Sequence, residues 1–225
     1  MKTAVISGGG SGLGRELAKV YSNDGYHILL LGRTEEKLQS VKEEIITDGG
    51  TASYMTVDIA SSEEVQKVSK AIQEKHDVQL LINNAGVGIF GPFLHTSFEE
   101  MDHMLSVNFS GTVYLTKALL PGMVSKDSGT IINIISTAGL RGKKNESYYA
   151  ASKFALRGFA ESLQKEFEDT GIEIINAYMG GMNTPFWDES EHVKDPSRLR
   201  SPREIADIIY DESKTSTDII IEAKK

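Results

Sequence analysis

The sequence predicts an α/β fold in which about seven mainly parallel strands form a doubly wound sheet with helices on both faces. Short apolar, β-branched runs alternate with polar, helix-forming segments along the chain, the pattern of repeated βα units. A glycine-rich loop separates the first apolar run from an amphipathic segment. The 225 residues can bury a substantial core, and we expect a single domain over residues 1–225.

Seven apolar runs predict the strands of this sheet. They are TAVISG (3–8), HILLLG (27–32), SYMTVDI (53–59), QLLINNA (79–85), TIINIIS (130–136), IEIINAYM (172–179) and TDIIIEA (217–223).

Three of the intervening helices carry a start signal, because Ser61, Ser97 and Ser201 each stand three residues before a Glu. This spacing is typical of a helix N-terminus. The irregular segment 180–202 predicts a loop or lid that contains a short helix.

The composition excludes several classes of function. A formal net charge of −8 disfavours nucleic acid and anionic membrane partners, and the absence of cysteine excludes disulfides, thiolate catalysis and Cys-based zinc sites. The histidines show no metal-binding spacing, and no apolar run is long enough for a signal peptide or a membrane span. We therefore expect a cytoplasmic protein that acts on a small molecule without a metal.

The first loop, SGGGSGLG, places Gly8, Gly12 and Gly14 directly before a helix. Glycines there allow a sharp turn, close approach of the backbone to a pyrophosphate, and N–H groups at the positive end of the helix. The spacing GxxxGxG differs from the GxGxxG fingerprint of dinucleotide sites. The alternative interpretation is a tight strand-to-helix turn without a ligand.

The end of the second strand bears on the choice of nucleotide. An acid there would bind the ribose 2′-hydroxyl of NAD, and a basic residue would bind the 2′-phosphate of NADP. Gly32 stands where the acid is expected, and Arg33 and Thr34 follow, which favours NADP(H) over NAD(H) because Arg suits bidentate phosphate contacts. Glu35 and Glu36 are the competing ribose ligands, although acids in a first helical turn also serve the helix dipole.

Two tyrosines stand four residues before a lysine: Tyr149 before Lys153, and Tyr210 before Lys214. Ligands of open α/β sheets bind outside the carboxyl ends of the strands. Tyr149 begins the helix after the fifth strand and lies at that edge. Tyr210 lies near the end of the helix that leads into the last strand, so we expect the second pair at the opposite edge.

The first pair is positioned for proton transfer. Tyr149 and Lys153 share one helix face, and Ser136 ends the preceding strand at the same edge. A neighbouring ammonium would lower the pKa of the phenol. With a serine polarising a carbonyl oxygen and the tyrosine protonating it, hydride transfer from a nicotinamide becomes feasible.

These motifs together make the chain resemble the short-chain dehydrogenase/reductase family over nearly its whole length. The family's TGxxxGxG loop is matched by SGGGSGLG with Ser7 in place of Thr, its NNAG motif by residues 83–86, and its YxxxK motif by YAASK. The resemblance implies a Rossmann-type fold and a catalytic set on these positions: Asn108, Ser136, Tyr149 and Lys153.

The resemblance also implies their roles. Tyr149 would be the general acid/base, Ser136 would orient the substrate carbonyl, Lys153 would bind the nicotinamide ribose and lower the tyrosine pKa, and Asn108 would hold a water in a proton relay. The implied cofactor contacts are Gly8, Ser11, Gly12, Leu13, Gly14, Arg33, Thr34, Asp58, Ile59, Asn84, Ala85, Gly86, Tyr149, Lys153 and Thr184.

One motif departs from the family pattern. The family's PGxxxT after the sixth strand is MGGMNT here, with Met179 in place of Pro and Thr184 retained. The implied assembly is a homodimer or a homotetramer.

The sequence thus predicts an NADP(H)-dependent short-chain oxidoreductase that transfers a hydride between the nicotinamide and a small carbonyl or alcohol substrate. Residues 90–93 and the segment 180–202, with Phe186 and Trp187, would shape the substrate pocket. A non-catalytic NADP(H)-binding sensor is the first alternative, and a nucleotide-fold methyltransferase is the second.

Overall fold

A computed structural model describes residues 1–188 and 190–223. Its strands are β1 (Lys2–Ser7), β2 (His27–Gly32), β3 (Thr51–Thr56), β4 (Asp77–Asn83), β5 (Gly129–Ile134), β6 (Ile172–Met179) and β7 (Asp218–Ile221). They form one sheet in the order β3-β2-β1-β4-β5-β6-β7, and all neighbouring pairs are parallel. The strand order reverses between β1 and β4, where ligands of such sheets bind.

The helices cover both faces of the sheet. They are α1 (Gly12–Asn23), α2 (Glu35–Thr47), α3 (Ser62–Lys75), α4 (Phe98–Leu105), α5 (Thr112–Val124), α6 (Ser147–Glu166) and α7 (Pro202–Glu212). Apolar side chains of α1, α2 and α7 pack on one face, and those of α3, α5 and α6 pack on the other. The predicted doubly wound fold is confirmed.

The three predicted helix starts are present. Ser61, Ser97 and Ser201 each precede a helix and accept a hydrogen bond from the backbone N–H three residues on. At Ser97 the bond is reciprocated by Glu100, whose carboxylate accepts the N–H of Ser97 at 2.8 Å.

Some predicted boundaries are wrong. The third strand ends at Thr56 rather than at residue 59, and the fifth ends at Ile134, so that Ser136 lies just past its strand. The segment 180–202, of which Glu189 lies outside the described residues, contains two short 3₁₀ helices, Pro185–Trp187 and Pro196–Arg198, where one short helix was predicted. The prolines favour such turns because they fix φ and lack an N–H.

A row of amides crosses the half of the sheet that follows the reversal. Asn83, Asn133 and Asn176 are paired in register on adjacent strands, and Asn176 is paired with Asp218. Their side chains form a chain of hydrogen bonds of 3.0, 3.2 and 3.4 Å. The three asparagines are buried, so these bonds satisfy polar groups that water does not reach.

Candidate active site

A cleft of about 400 Å³ lies at the carboxyl ends of the strands, within the size range of ligand pockets. It is lined by most of the predicted site residues: Gly8, Ser11, Gly12, Leu13, Arg33, Thr34, Asp58, Ile59, Asn84, Ala85, Gly86, Ser136, Tyr149, Lys153 and Thr184. Gly14 and Asn108 do not line it, because both lie behind its wall. The fold therefore gathers residues that are far apart in the sequence into one site.

The glycine loop has the geometry of a phosphate cradle. Gly8 and Gly12 have φ angles of 64° and 53°, in the left-handed region that glycine adopts without strain. Ser11 precedes α1, and its side chain caps no N–H of that helix. The first N–H groups of α1 thus remain available at the cleft, as an anion requires.

Gly14 serves the packing beneath the loop. A Cβ at this position would lie 2.3 Å from the carbonyl oxygen of Gly8 and 2.6 Å from Nδ2 of Asn84. The missing side chain lets α1 approach the loop closely. The amide of Asn84 donates to the carbonyl oxygens of Ser7 and Gly8 at 3.0 and 3.1 Å, which joins the end of β4 to the same loop.

The rim beyond β2 is basic. Arg33 is exposed at the cleft, and Lys37 lines the same wall one helical turn later. Glu35, the competing ribose ligand, instead accepts a hydrogen bond from the hydroxyl of Tyr54 at 3.0 Å. Sequence reasoning missed Lys37, although its spacing of four residues from Arg33 is a recognisable signal.

Ser136, Tyr149 and Lys153 meet at the other part of the cleft. Ser136 follows β5, and its hydroxyl accepts the N–H of Ala138 at 3.1 Å. Tyr149 and Lys153 are buried on α6. Nζ of Lys153 donates to the carbonyl oxygen of Ile134 at 3.2 Å and lies 5.9 Å from the centre of the Tyr149 ring.

Burial dominates the electrostatics of this pair. It raises the pKa of Tyr149 to about 12, while a hydrogen bond with Ser136 acts in the opposite direction and the charge of Glu146 adds to the rise. Burial lowers the pKa of Lys153 to about 8. Desolvation disfavours the charged form of both groups and sets the direction of both shifts, and the lowering of the tyrosine pKa by Lys153 stays a prediction.

Asn108 lies behind the wall of the cleft and stabilises it through hydrogen bonds. It lies in a π-helical turn, Ser106–Gly111, between α4 and α5, a feature frequent at functional sites. Its Oδ1 accepts the N–H of Val87 at 2.8 Å, and its Nδ2 donates to the carbonyl oxygen of Val87 at 2.9 Å and to Oγ of Ser152 at 3.0 Å. The side chain thus ties the segment after β4 to α6.

Aromatic rings form the wall beside Tyr149. Phe90, Phe186 and Trp187 line the cleft and are half-buried. The centre of the Phe90 ring lies 5.2 Å from that of Tyr149. The sequence assigned residues 90–93 and the segment 180–202, with Phe186 and Trp187, to one pocket, but gave no signal of which rings would contact each other.

Two charged residues of this wall were also missed. Glu146 is buried at the cleft and accepts a hydrogen bond of 2.9 Å from His192 when Nε2 of that ring is protonated. Lys143 donates to the hydroxyl of Thr137 at 3.2 Å.

The second tyrosine and lysine pair lies elsewhere, as predicted. Tyr210 packs against Tyr21 near the end of α7, and Nζ of Lys214 lies 3.7 Å above the Tyr210 ring. Neither residue lines the cleft.

Within residues 1–188 and 190–223, no group of three or more His, Asp or Glu side chains could hold a metal ion. No helix within them combines the length and the apolar character that crossing a membrane requires.

Comparisons with known proteins agree with this geometry. The family model for short chain dehydrogenases matches residues 2–195. An uncharacterized oxidoreductase of Staphylococcus saprophyticus is 34% identical over 187 residues, which are 82% of this chain and 80% of that protein.

Solved structures extend the similarity to the whole fold. A metagenomic short-chain oxidoreductase in complex with NADP is 26% identical with a TM-score of 0.86, over 100% of this chain and 98% of that one. An alcohol dehydrogenase from the archaeon Thermococcus sibiricus, complexed with 5-hydroxy-NADP, is 26% identical with a TM-score of 0.86, over 99% and 94% of the two chains. The chain belongs to the short-chain dehydrogenase family of oxidoreductases, which act on small-molecule substrates.

Proposed function

We propose that this oxidoreductase uses NADP(H) to interconvert a small carbonyl compound and its alcohol. The observation that carries the proposal is the arrangement of one cleft, in which a phosphate cradle and a basic rim lie at one part and Ser136, Tyr149 and Lys153 meet at the other. When bound, the nicotinamide supplies or accepts the hydride.

The protein's own residues would hold the dinucleotide along the cleft. The N-terminus of α1, with Gly8 and Gly12, suits the pyrophosphate. Asp58 lines the part of the cleft where we expect the adenine, and Lys153 lines the part where we expect the nicotinamide ribose. Thr184 lines the cleft from the loop after β6.

Tyr149 is suited to donate the proton. With a pKa of about 12 its phenol is protonated at neutral pH, so it can protonate the carbonyl oxygen as that oxygen gains charge. Ser136 would hydrogen-bond the same oxygen. Both N–H groups of the Asn108 side chain are used by Val87 and Ser152, so a relay water would bind its backbone carbonyl rather than its amide nitrogen.

Four observations support NADP(H) rather than NAD(H). Glu35 is engaged by Tyr54 rather than directed to a ribose. Within residues 1–188 and 190–223, no carboxylate forms a salt bridge with Arg33, and Lys37 adds a second cation beside it. Two of the similar solved structures hold NADP or an NADP derivative.

The test of the chemistry compares Tyr149→Phe with Tyr210→Phe, since both tyrosines precede a lysine by four residues. We expect Tyr149→Phe to lower kcat for NADPH-dependent carbonyl reduction by about 10²-fold or more and to leave the Kd for NADPH largely unchanged. Tyr210→Phe should retain the wild-type rate. Full activity of Tyr149→Phe would refute the proposed role, and NADPH binding without turnover of any carbonyl by the wild type would favour a sensor.

The test of the cofactor compares Arg33→Ala with Arg157→Ala. Arg157 is paired with Glu161 on the surface of α6 and serves as the control. Arg33→Ala should raise the Kd for NADPH far more than the Kd for NADH, because the guanidinium would contact only the 2′-phosphate. Equal effects on both nucleotides would contradict the NADP(H) assignment.

We also propose that the chain forms one domain, with residues 180–202 as its lid, and that it assembles as a homodimer or homotetramer. Val124 at the end of α5 and Phe154 on α6 are 47% and 43% exposed, and an interface between these helices would cover them. Light scattering coupled to gel filtration tests the assembly, and a monomer would contradict it.

A further inference from the structure

We propose that the substrate is a flat, ring-conjugated carbonyl compound, an aryl ketone or aldehyde whose carbonyl carbon is attached directly to the ring. This inference rests on the proposed function, because it assigns a substrate class to the same site.

The first step of the argument is where the aromatic rings lie. The Phe90 ring meets the Tyr149 ring edge to face, at an angle of 68° between their planes. The centre of the Phe186 ring lies 6.1 Å from that of Tyr149 and 6.0 Å from that of Phe90. These rings surround the proton donor itself, so the part of a substrate that they contact is the part next to its carbonyl.

The second step is the shape of this pocket. A Cβ on Gly88 would lie 2.4 Å from Cζ of Phe90 and 2.5 Å from Cζ of Phe186. Both rings close onto the backbone only because residue 88 has no side chain. Trp187 stacks on Phe90 with ring centres 5.3 Å apart. Walls made of ring faces and edges fit a planar group better than a branched or puckered one.

The third step is what the pocket offers to a polar substrate. The indole N–H of Trp187 is donated to the carbonyl oxygen of Met182 at 2.9 Å, and Glu146 is engaged by His192 at 2.9 Å. Lys143 is engaged by Thr137. A sugar or hydroxy acid would lose its bonds to water and would have to compete with these internal bonds for the polar groups of this wall, whereas Ser136 and Tyr149 provide for a single carbonyl oxygen.

The experiment compares two ketones of the same carbon skeleton: acetophenone, which is planar, and cyclohexyl methyl ketone, whose ring is saturated. Hydroxyacetone serves as the polar substrate. The measured quantity is the ratio of kcat/KM for acetophenone to kcat/KM for cyclohexyl methyl ketone, with NADPH, in the wild type and in Phe186→Leu. Comparing this ratio between the two proteins cancels the different intrinsic reactivities of the ketones.

We expect Phe186→Leu to lower the ratio by about 2- to 13-fold, the range that corresponds to one aromatic pair. Hydroxyacetone should be the poorest of the three substrates. Phe98→Leu is the control, because Phe98 is 80% exposed and does not line the cleft, and it should leave the ratio unchanged. An unchanged ratio in Phe186→Leu, with reduction of either ketone retained, would overturn the inference and leave the proposed function in place.

A binding measurement that needs no turnover distinguishes failure of the substrate assignment from failure of the proposed function. Trp187 is the single tryptophan of the chain, so its fluorescence reports on this wall directly. Acetophenone should quench it saturably in the absence of nucleotide, and cyclohexyl methyl ketone should do so at higher concentration. Quenching that is linear, as for a free tryptophan amide, would overturn the inference. Saturable quenching without reduction of any carbonyl would instead overturn the proposed function.

Discussion

Lys153 is a buried cation, and replacing it should make the protein more stable at neutral pH. Its side chain lies inside the fold at 4% exposure, and its hydrogen-bond partner is the carbonyl oxygen of Ile134. The substitution Lys153→Met keeps a long, flexible side chain and removes the charge. A gain in stability would accompany a loss of function, as expected at a strained functional site.

The pKa of Lys153 sets the size of the effect. Burial lowers it from the ordinary value of 10.5 to about 8, and each unit corresponds to about 1.36 kcal/mol. The charged side chain therefore destabilises the folded state by on the order of 3 kcal/mol below about pH 8. Loss of the bond to Ile134 offsets about 1 kcal/mol of this, so we expect Lys153→Met to raise the free energy of unfolding by about 2 kcal/mol.

The same pKa values fix the pH dependence. Between about pH 8 and pH 10.5 the unfolded wild-type chain binds a proton at Lys153 that the folded chain has released, so this group makes wild-type stability rise with pH. The advantage of Lys153→Met should shrink by more than half between about pH 7 and about pH 9.5. Tyr149 makes the stability of the folded state fall as the pH rises, but only above about pH 10, because its pKa in the folded state is raised to about 12.

Urea unfolding without nucleotide at the two pH values provides the assay. Lys165→Met is the control, since its ammonium is on the same helix and its side chain is 81% exposed. The reasoning is refuted if Lys153→Met is no more stable than the wild type near neutral pH, or if its advantage does not depend on pH.

Three further outcomes are expected. Gly14→Ala should destabilise the fold by about 1 to 3 kcal/mol and weaken nucleotide binding, because its Cβ would overlap the oxygen of Gly8; unchanged thermal unfolding and nucleotide titrations would contradict this. Asn133→Leu should lower the free energy of unfolding, measured in urea, by about 2 to 4 kcal/mol, because two buried amides lose a partner. An unchanged free energy of unfolding would show that the amide row is dispensable. Ser97→Ala should lower the free energy of unfolding by about 1 kcal/mol through loss of the cap of α4. An equal loss in Ser147→Ala, which replaces the first residue of α6 rather than its N-cap, would argue against capping as the cause.

Much of the fold follows from local patterns. The strand at His27–Gly32 and the one at Ile172–Met179 have the bounds that their apolar runs predict, and the glycine loop lies at the predicted turn. These features depend on neighbours in the sequence. The position of Tyr149 at the carboxyl edge follows from chain order alone, which also separates it from Tyr210.

Other parts of the site depend on tertiary packing. The rise of the Tyr149 pKa depends on burial, whose extent is not visible in the sequence, whereas the proximity of Lys153 follows from the spacing of four residues. The meeting of Phe90 with Phe186 depends on the path of a loop with little periodicity. Asn108 gave no sign of the π-helical turn that turns its amide toward Val87.

The row of amides across β4 to β7 gives the sheet an alignment that apolar patterning cannot supply. A parallel strand that slips by two residues moves about 6.6 Å and still presents the same face to the core. Such a slip would separate Asn133 from Asn83 and Asn176, and the hydrogen bonds between these buried amides would be lost. The row therefore fixes the register of these strands. It thereby also fixes the relative positions of the groups that follow the strands at the cleft, Asn84 after β4 and Ser136 after β5.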